Sequence, residues 1–305
     1  MSDQRFAIAI DVGGTKIAGA AVRADGTVHH RVQVLTPAGD AETVFAAVAE
    51  VVGAVTAHVE PTACAGLGIG TAGPIDLVAG TVSPVNIHGW RAFPIVSQIA
   101  ALVPTLDVHL AGDAVCVAIG EHWRGAGRGC DDMVGMVVST GVGGGIILSG
   151  RPHVGPSGNG GHLGHISVEL DGPACACGGV GCVEAIASGR KIAAWAVANG
   201  FGGEQTAEAV AVAARGGDPI AVAAFDRAGR AIGSMLAGVA TSLDVHVAVI
   251  GGGVANAGEL LFAPIRRSVE RYAGLGYARP LELRRAALGG DAGLVGAAAL
   301  VLAGM

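Results

Sequence analysis

Charged residues are scarce in this sequence, and it has no long run of basic residues and no long uninterrupted run of apolar residues. Charged residues make up 14% of the 305 residues, and the formal net charge of −6 comes with no stretch rich in lysine and arginine. A nucleic-acid-binding surface is therefore not expected. Glycine or a charged residue interrupts every apolar stretch well before the roughly 20 residues that a membrane-spanning helix needs, so no membrane partner is expected either.

The amino-terminal sequence, MSDQRFAIAIDVGG, has neither the basic start nor the long apolar core of an export signal. Cysteines number only six, and three of them are spaced like metal ligands. Both features predict a reducing, cytoplasmic location. The other three cysteines stand singly in the sequence and are expected to be packing residues: Cys64, Cys116 and Cys130.

Apolar residues and glycine, in contrast, are abundant. Apolar residues are 51% of a chain that is long enough for two domains of ordinary size, so large cores can form. The 52 glycines cluster beside apolar runs, and this pattern is typical of tight turns rather than of disorder.

A unit made of an apolar run, a glycine-rich turn and a second apolar run occurs twice. The first unit has the turn DVGGTK at residues 11–16, and the second has the turn STGVGGG at residues 139–145. Runs with helical spacing follow each unit, so we expect an α/β protein in which two duplicated β-sheet cores flank an interdomain cleft. The predicted domains are residues 1–112, completed by a carboxy-terminal helix at 292–305, and residues 113–291.

The densest group of chemically active side chains lies at residues 162–189. Cys175, Cys177 and Cys182 follow the pattern Cys-x-Cys-Gly-x-x-Gly-Cys, and His165 lies ten residues upstream. Three thiolates and an imidazole fill a tetrahedral shell without an open position, which favours a structural Zn²⁺. The alternatives are buried thiols in a turn, or a disulfide that would leave one cysteine over. The reversals that bring the thiols together need glycines able to adopt positive φ: Gly178, Gly179 and Gly181.

The glycine turns are candidate phosphate-binding sites. A strand that ends in an acid and then in Gly-Gly-Thr places backbone N–H groups at a sharp bend, where they can face phosphate oxygens and where the acid can hold Mg²⁺. A third glycine turn at residues 251–253 could lie against an adenine ring. The candidate residues for ATP and Mg²⁺ are Asp11, Gly13, Gly14, Thr15, Lys16, Thr140, Gly141, Gly143, Gly144, Gly252 and Gly253. Each turn alone could be only a turn.

Four segments together resemble one family over essentially the whole chain. DVGGTK, STGVGGGI, GH…CxCGxxGCxE and VIGGGV are similar to the motifs of the ROK family of sugar kinases and repressors. The resemblance implies the actin-like/hexokinase-type ATPase fold, with ATP and a hexose meeting in the cleft, and a homodimer or homotetramer. Repressors of this group carry a helix-turn-helix before the first phosphate turn, and only ten residues precede it here, so a kinase is expected.

The resemblance also assigns roles at the sugar. Asp113 matches the catalytic aspartate of the family, which would take the proton of the attacking hydroxyl during phosphoryl transfer; a helix N-cap would by itself also explain an aspartate at this position. The residues implied to bind sugar hydroxyls are Asn86, Asp113, His165 and Glu184. His162 is the further sugar-binding candidate, with an imidazole that makes no sugar contact as the alternative.

Three departures from the family lie on the sugar side. Gly112 and Val115 stand where two asparagines are usual, and His162 stands where a glutamate is usual. The loss of a hydrogen-bonding side chain changes which sugar is read and leaves the phosphate chemistry intact. We therefore expect ATP-dependent phosphorylation of glucose at its 6-hydroxyl. The alternatives are mannose or an N-acetylhexosamine as acceptor, polyphosphate as donor, and a non-catalytic sugar sensor.

Overall fold

The structure is a computed structural model that describes residues 5–305. The prediction that the chain has no export signal rests in part on residues 1–4, which lie outside the described residues. The strands are β1 (Phe6–Val12), β2 (Lys16–Arg23), β3 (Val28–Leu35), β4 (Cys64–Thr71), β5 (Ile75–Asp76), β6 (Thr81–Val82), β7 (Val108–Gly112), β8 (Met133–Val138), β9 (Val142–Leu148), β10 (Arg151–Pro152), β11 (Val247–Gly251) and β12 (Glu282–Arg285). The α-helices are α1 (Ala41–Thr56), α2 (Ile95–Leu102), α3 (Asp113–Arg124), α4 (Val183–Ala187), α5 (Gly189–Ala198), α6 (Ala207–Arg215), α7 (Pro219–Leu243), α8 (Glu259–Tyr272) and α9 (Ala292–Leu302).

Two five-stranded sheets share one topology. The first has the order β3-β2-β1-β4-β7 and the second the order β10-β9-β8-β11-β12. In the first, β1 pairs antiparallel with β2 and parallel with β4. In the second, β11 pairs parallel with both β8 and β12. The predicted α/β fold with duplicated sheets is confirmed, and β5 and β6 form an additional two-stranded sheet that the sequence analysis did not predict.

The chain divides into two compact units at positions that differ from the predicted boundary after Gly112. The first unit contains the chain up to Gly129 together with Gly145–Gly161 and Gly290–Met305, and the second contains Cys130–Gly144 and His162–Gly289. Helix α3 therefore belongs to the first unit and not to the second. The physical reason is that α3 packs against α9, and α9 in turn packs against β1 and β4.

The second glycine turn is shorter than predicted. It spans only residues 139–141, closed by the Ser139 N–H donating to the Gly141 carbonyl at 2.8 Å, and β9 begins at Val142. Gly144 therefore lies within a strand. Its missing side chain has a packing reason, because a Cβ there would lie 2.7 Å from Leu163 and 2.8 Å from the Gly135 carbonyl.

In the first unit, α1 covers one face of the sheet. The valines at positions 44, 48, 51, 52 and 55 are buried on one side of the helix, at the spacing expected of an amphipathic helix. Gly19 of β2 allows close approach, because a Cβ there would lie 2.5 Å from Val51. The Asp40 carboxylate accepts the Thr43 N–H at 2.9 Å and so caps the start of α1.

Helix α9 is buried along most of its length, and small residues let backbones approach it from two sides. A Cβ on Gly68 of β4 would lie 1.9 Å from the Ala297 carbonyl, and a Cβ on Gly296 would lie 1.7 Å from the Cys116 carbonyl of α3. Such approaches tolerate no side chain. None of the helices within residues 5–305 combines the length and the apolar character that spanning a bilayer requires.

Gly296→Ala tests this packing. Because the added methyl group would overlap the backbone of α3, we expect the free energy of unfolding to fall by roughly 1–3 kcal/mol in urea titrations. Gly53→Ala in α1 is the matched control: no atom lies within 4 Å of its Cβ position, and alanine favours a helix by about 1 kcal/mol. An unchanged stability of Gly296→Ala would contradict the packing of α9 on α3.

Candidate active site

The first glycine turn is a tight hairpin at the end of β1. The Gly13 N–H donates to the Lys16 carbonyl at 3.0 Å, and Thr15 and Lys16 are exposed at the tip. A Cβ on Gly14 would lie 2.3 Å from the Asn86 amide nitrogen. Asn86, a predicted sugar ligand, therefore lies directly against the predicted phosphate turn. Trp90, four residues on, is fully buried and stacks on Phe93 at 4.4 Å, so it belongs to the core.

Thr36 was not identified from the sequence, yet it holds this turn in place. Its hydroxyl donates to the Gly13 carbonyl at 2.7 Å, and its backbone N–H donates to the Thr15 carbonyl at 3.0 Å. Both acceptors lie in the turn, so Thr36 fixes two of its carbonyl groups. The signal available in the sequence was only a threonine at the end of β3, which is a common turn residue.

Asp11 and Asp113 lie at one edge of the first sheet. Val12 of β1 is paired with Thr71 of β4, and Thr71 is paired with Gly112 of β7, so the carboxyl ends of three parallel strands are level. Asp11 precedes the first of these positions and Asp113 follows the last. Ligands of open parallel sheets bind at this edge.

The two carboxylates are close enough to influence each other. Burial, and then the negative charge of Asp113, raise the pKa of Asp11 to about 7, while Lys16 and Arg31 act in the opposite direction. A Cβ on Gly293, in the first turn of α9, would lie 3.2 Å from an Asp11 carboxylate oxygen. Cys116 lies fully buried nearby, where desolvation and both aspartates raise the pKa of its thiol, so it stays neutral and packs.

Asp113 is the first residue of α3, and Gly112 holds the N-cap position. The Asp113 side chain accepts the Ala114 N–H at 2.7 Å, a local contact that orients the carboxylate. Val115, at a position where the family usually has asparagine, is 5% exposed and packs in the core. Gly112 is in an extended conformation with φ of −65°, so this glycine is not required by the backbone.

In the second unit, Glu184 reaches the second glycine turn. Its carboxylate accepts the Val142 N–H at 2.9 Å, and a Cβ on Gly141 would lie 2.6 Å from the same oxygen. Helix α4, which carries Glu184, begins directly after Cys182. The predicted sugar ligand thus also positions the predicted phosphate turn, a role that the sequence analysis did not assign.

The segment that carries His165 packs on the same turn. A Cβ on Gly164 would lie 1.8 Å from the Val142 carbonyl, so backbone lies directly on backbone. His162 is exposed, and its ring lies 6.1 Å from the ring of His165 at an angle of 22°. Within the second unit, the metal-type loop, Glu184 and the turn at residues 139–141 therefore form one packed group.

The four predicted metal ligands converge. The ligand atoms of His165, Cys175, Cys177 and Cys182 all lie within 4.8 Å of one another. The Cys177 and Cys182 sulfurs are 3.7 Å apart, as are the Cys175 sulfur and His165 Nδ1. Ligands ~2.0–2.3 Å from one ion at the corners of a tetrahedron lie ~3.3–3.8 Å apart, so these two separations agree with a Zn²⁺ site. Gly178 and Gly181 have the predicted positive φ, and Gly179 does not.

A cavity of about 550 Å³ lies in the second unit beside the third glycine turn. Thr140 and Gly253, both predicted to contact ATP, line it. Gly252 has a different role: its φ is 92°, and a Cβ there would lie 2.3 Å from the Val138 carbonyl, so it lets the turn pack on β8. Beyond the turn at residues 139–141, six further polar residues of the lining were missed, since they lie on loops and near helix ends without a motif: Arg190, Gln205, Thr206, Glu208, Arg215 and Asn256.

Comparison with known proteins bears on the whole chain, because the profile of the ROK family matches residues 7–303. This chain belongs to the ROK family. Glucokinase of Streptomyces coelicolor is 34% identical over 310 aligned residues, which cover 96% of each chain. N-acetylmannosamine kinase of Escherichia fergusonii is 38% identical over 297 residues, covering 96% of this chain and 97% of that one.

A solved structure is similar over almost the whole chain. The ROK family glucokinase from Streptomyces griseus, determined in complex with glucose and AMPPNP, superposes with a TM-score of 0.84 at 37% identity, covering 97% of this chain and 99% of that one. The predicted actin-like/hexokinase-type ATPase fold is thereby confirmed, and so is the predicted family.

The raised pKa of Asp11 predicts a pH-dependent stability. The unfolded chain ionises Asp11 near its ordinary pKa of about 3.9, whereas the folded chain keeps the proton up to about pH 7, so ionisation favours unfolding increasingly across this interval. Asp11→Asn removes the effect. In urea titrations without divalent cations, we expect its stability advantage over the wild type to grow by roughly 2 kcal/mol from pH 5 to pH 8.

Asp40→Asn is the control for this measurement. Hydrogen bonds from Thr43 lower the pKa of Asp40, so this carboxylate is charged in both the folded and the unfolded state at pH 5 and above. Its stability difference from the wild type should stay flat between pH 5 and pH 8. A flat difference for Asp11→Asn as well would contradict the burial of the Asp11 charge.

Proposed function

We propose that this ROK-family protein is an ATP-dependent hexose kinase that transfers the γ-phosphate to a sugar hydroxyl, with glucose at its 6-hydroxyl as the favoured acceptor. The observation that supports it most strongly is the edge of the first sheet. There Asp113 stands beside a second carboxylate, Asp11, and beside a glycine turn that Asn86 touches. Phosphoryl transfer requires this combination of a base, a metal-binding acid and amide donors.

Asp113 acts as the base in this proposal. Its carboxylate accepts the proton of the sugar hydroxyl as the hydroxyl oxygen forms its bond to the γ-phosphorus and the bond to the bridging oxygen of ADP breaks. The Ala114 N–H on one carboxylate oxygen restricts rotation of the side chain. Asn86, against the first turn, holds a sugar hydroxyl.

In this proposal, backbone amides and a lysine bind the phosphates of ATP, and the enzyme forms no covalent bond to the transferred phosphate. The turn at residues 13–16 offers N–H groups and the exposed Lys16, and the turn at residues 139–141 offers a second set of amides. Mg²⁺ bound with ATP would neutralise phosphate charge, and Asp11 is the acid that would hold it. The cavity of about 550 Å³ that Thr140 and Gly253 line would take the adenosine.

The His165, Cys175, Cys177 and Cys182 cluster would hold a structural Zn²⁺, which supplies rigidity and no reaction step. The metal would stabilise the site through the segment that follows it. Helix α4 begins directly after Cys182 and carries Glu184, whose carboxylate accepts the Val142 N–H. We expect Glu184 and His165 to bind sugar hydroxyls from this rigid base, with His162 beside them. Free thiols suit a cytoplasmic location.

The acceptor is the least constrained part of the proposal. The similar proteins include a glucokinase and an N-acetylmannosamine kinase. Gly112 and Val115 supply no side-chain hydrogen bond to a sugar. The choice among sugars therefore depends on other side chains, and the candidates are Asn86, His162 and Glu184. A panel of glucose, mannose, N-acetylmannosamine and N-acetylglucosamine with ATP or polyphosphate, assayed by product formation, separates the candidates. The absence of turnover with every sugar and donor would refute the kinase and favour a sensor.

Asp113→Asn tests the base. The amide cannot accept the proton, so kcat is expected to fall by at least 100-fold, while the affinity for the sugar, measured by calorimetry, changes by less than about threefold. Asp131→Asn, at an exposed aspartate outside the site, should keep wild-type turnover. Retention of more than a few per cent of kcat in Asp113→Asn would exclude Asp113 as the base.

Cys177→Ala tests the metal. The wild-type protein should contain about one zinc per chain by elemental analysis, and the variant much less. Because the metal loop packs on the turn that Glu184 contacts, the melting temperature and the sugar affinity should fall together. Cys64→Ala, which removes a cysteine outside the cluster, should keep both. Zinc-free wild-type protein with full activity would contradict the metal assignment.

A further inference from the structure

A second cavity, of about 590 Å³, lies in the first unit and is not part of the site described above. Three arginines line it, Arg5, Arg124 and Arg128, together with one acid, Asp25. The remaining wall is largely apolar and includes Ala65, Val301 and Leu302. Three guanidinium groups on one cavity are unusual in a chain with a net charge of −6 and only 19 lysines and arginines.

The cavity lies at the opposite edge of the first sheet from Asp11 and Asp113. Arg5 directly precedes β1, and Ala65 lies near the start of β4, whereas the candidate active site lies where these strands end. Helix α3 begins at Asp113 and ends at Arg124. Its 12 residues correspond to about 18 Å, so a ligand in the cavity would not touch the catalytic carboxylate.

Arg124 is held in a fixed position by the backbone. Its Nε donates to the Ala24 carbonyl at 3.2 Å, and one terminal nitrogen donates to the same oxygen. The other terminal nitrogen donates to the Trp123 carbonyl at 3.0 Å, and the guanidinium lies 4.1 Å from the Trp123 ring centre. The β2–β3 turn and the end of α3 therefore orient this guanidinium before any ligand binds.

The loop that carries Arg128 is also fixed, by a buried acid. Glu121 is only 1% exposed, and its carboxylate accepts the Ala126 N–H at 2.8 Å. Its backbone carbonyl accepts the N–H groups of Gly125 and Gly127 at 3.0 and 2.9 Å. A buried carboxylate is costly unless hydrogen bonds satisfy it, so Glu121 ties the loop after α3 to the helix.

In the described part of the chain, the positive charge of the cavity is only partly offset, by Asp25 in its lining. Within residues 5–305, none of the three arginines has a carboxylate within 4 Å, and the one nearby acid, Asp25, accepts the Thr27 N–H at 2.9 Å. Burial, and then the charge of Arg128, lower the pKa of Arg124, and the charge of Asp25 acts in the opposite direction. An anion bound in the cavity would stabilise the like charges that line it.

We propose that this cavity binds a small phosphomonoester, with the phosphate group on the three arginines and the carbon portion against Ala65, Val301 and Leu302. The planar guanidinium fork matches phosphate oxygens in pairs, which a point charge such as lysine does not do. The volume is within the range of small-molecule sites and exceeds what a phosphate ion alone would fill. The site is separate from the proposed kinase chemistry and does not depend on it.

Isothermal titration calorimetry with glucose 6-phosphate and with inorganic phosphate tests the proposal. The wild-type protein is expected to have a binding site for glucose 6-phosphate that the double variant Arg5→Gln/Arg128→Gln lacks or binds at least 10-fold more weakly. Arg124 is left intact because it also anchors the β2–β3 turn. Arg271→Gln, which removes one exposed arginine of α8 outside the cavity, is the charge control and should bind like the wild type.

Three results would overturn the proposal: no binding of either probe to the wild type, equal binding by the double variant, or equal weakening by Arg271→Gln. Equal binding by the double variant would place the phosphate elsewhere, as at the glycine turns. Equal affinity for the two probes would contradict the placement of the carbon portion against the apolar wall, and tighter binding of glucose 6-phosphate would support it. The kcat and KM values of the double variant, with any active sugar, should match the wild type and show that the fold is intact.

Discussion

Two carboxylates held close together in a partly buried position are the constraint around which the first unit is built. Asp11 lies in β1, and Asp113 begins α3 directly after β7. The level ends of β1, β4 and β7 bring them to one edge. Neither desolvation nor like charge favours this arrangement, as the raised pKa of Asp11 shows. The surrounding core offsets that cost: α9 packs its glycine-rich face against β4, α3 and the Asp11 carboxylate.

In the second unit, neighbouring segments hold the glycine turn at residues 139–141 in place. The turn at residues 139–141 has few side chains of its own to anchor it. Glu184 accepts the Val142 N–H, and the segment before His165 lies on the Val142 carbonyl. The four side chains that could hold a metal ion lie directly beside these contacts: His165, Cys175, Cys177 and Cys182. Contacts between loops therefore hold this turn in place.

Helix α3 has a distinct task at each end. Its first residue is the predicted base, and its last residue, Arg124, is bound to the β2–β3 turn. Between them the helix packs on α9, which allows no side chain at Gly120 or Gly296. A rigid helix fixed at both ends holds Asp113 in position, and it also keeps the arginine cavity well away from the catalytic edge.

The motifs in the sequence were enough to predict the family, the fold class, and the four side chains that converge at the candidate metal site, because local spacing carries that information. The motif DVGGTK joins the end of β1 to the start of β2 with its turn residues adjacent in the chain, and Cys175 to Cys182 lie within one short loop. The predicted strand bounds were less accurate, because Gly143 and Gly144 were predicted to be part of a turn but lie in β9. The sequence does not distinguish a glycine that close packing requires from one that a bend requires.

Only the tertiary structure decided which distant residues support the site. Thr36 holds the first turn, Glu184 contacts the second, and α3 joins the first unit because its partner, α9, comes from the far end of the chain. The arginine cavity likewise collects Arg5, Arg124 and Arg128 from separate elements. By itself the sequence determined the chemistry that each motif could supply. The sequence could not determine which distant residues meet, because such contacts depend on sheet register and on how closely two backbones approach, and neither leaves a periodic pattern in the chain.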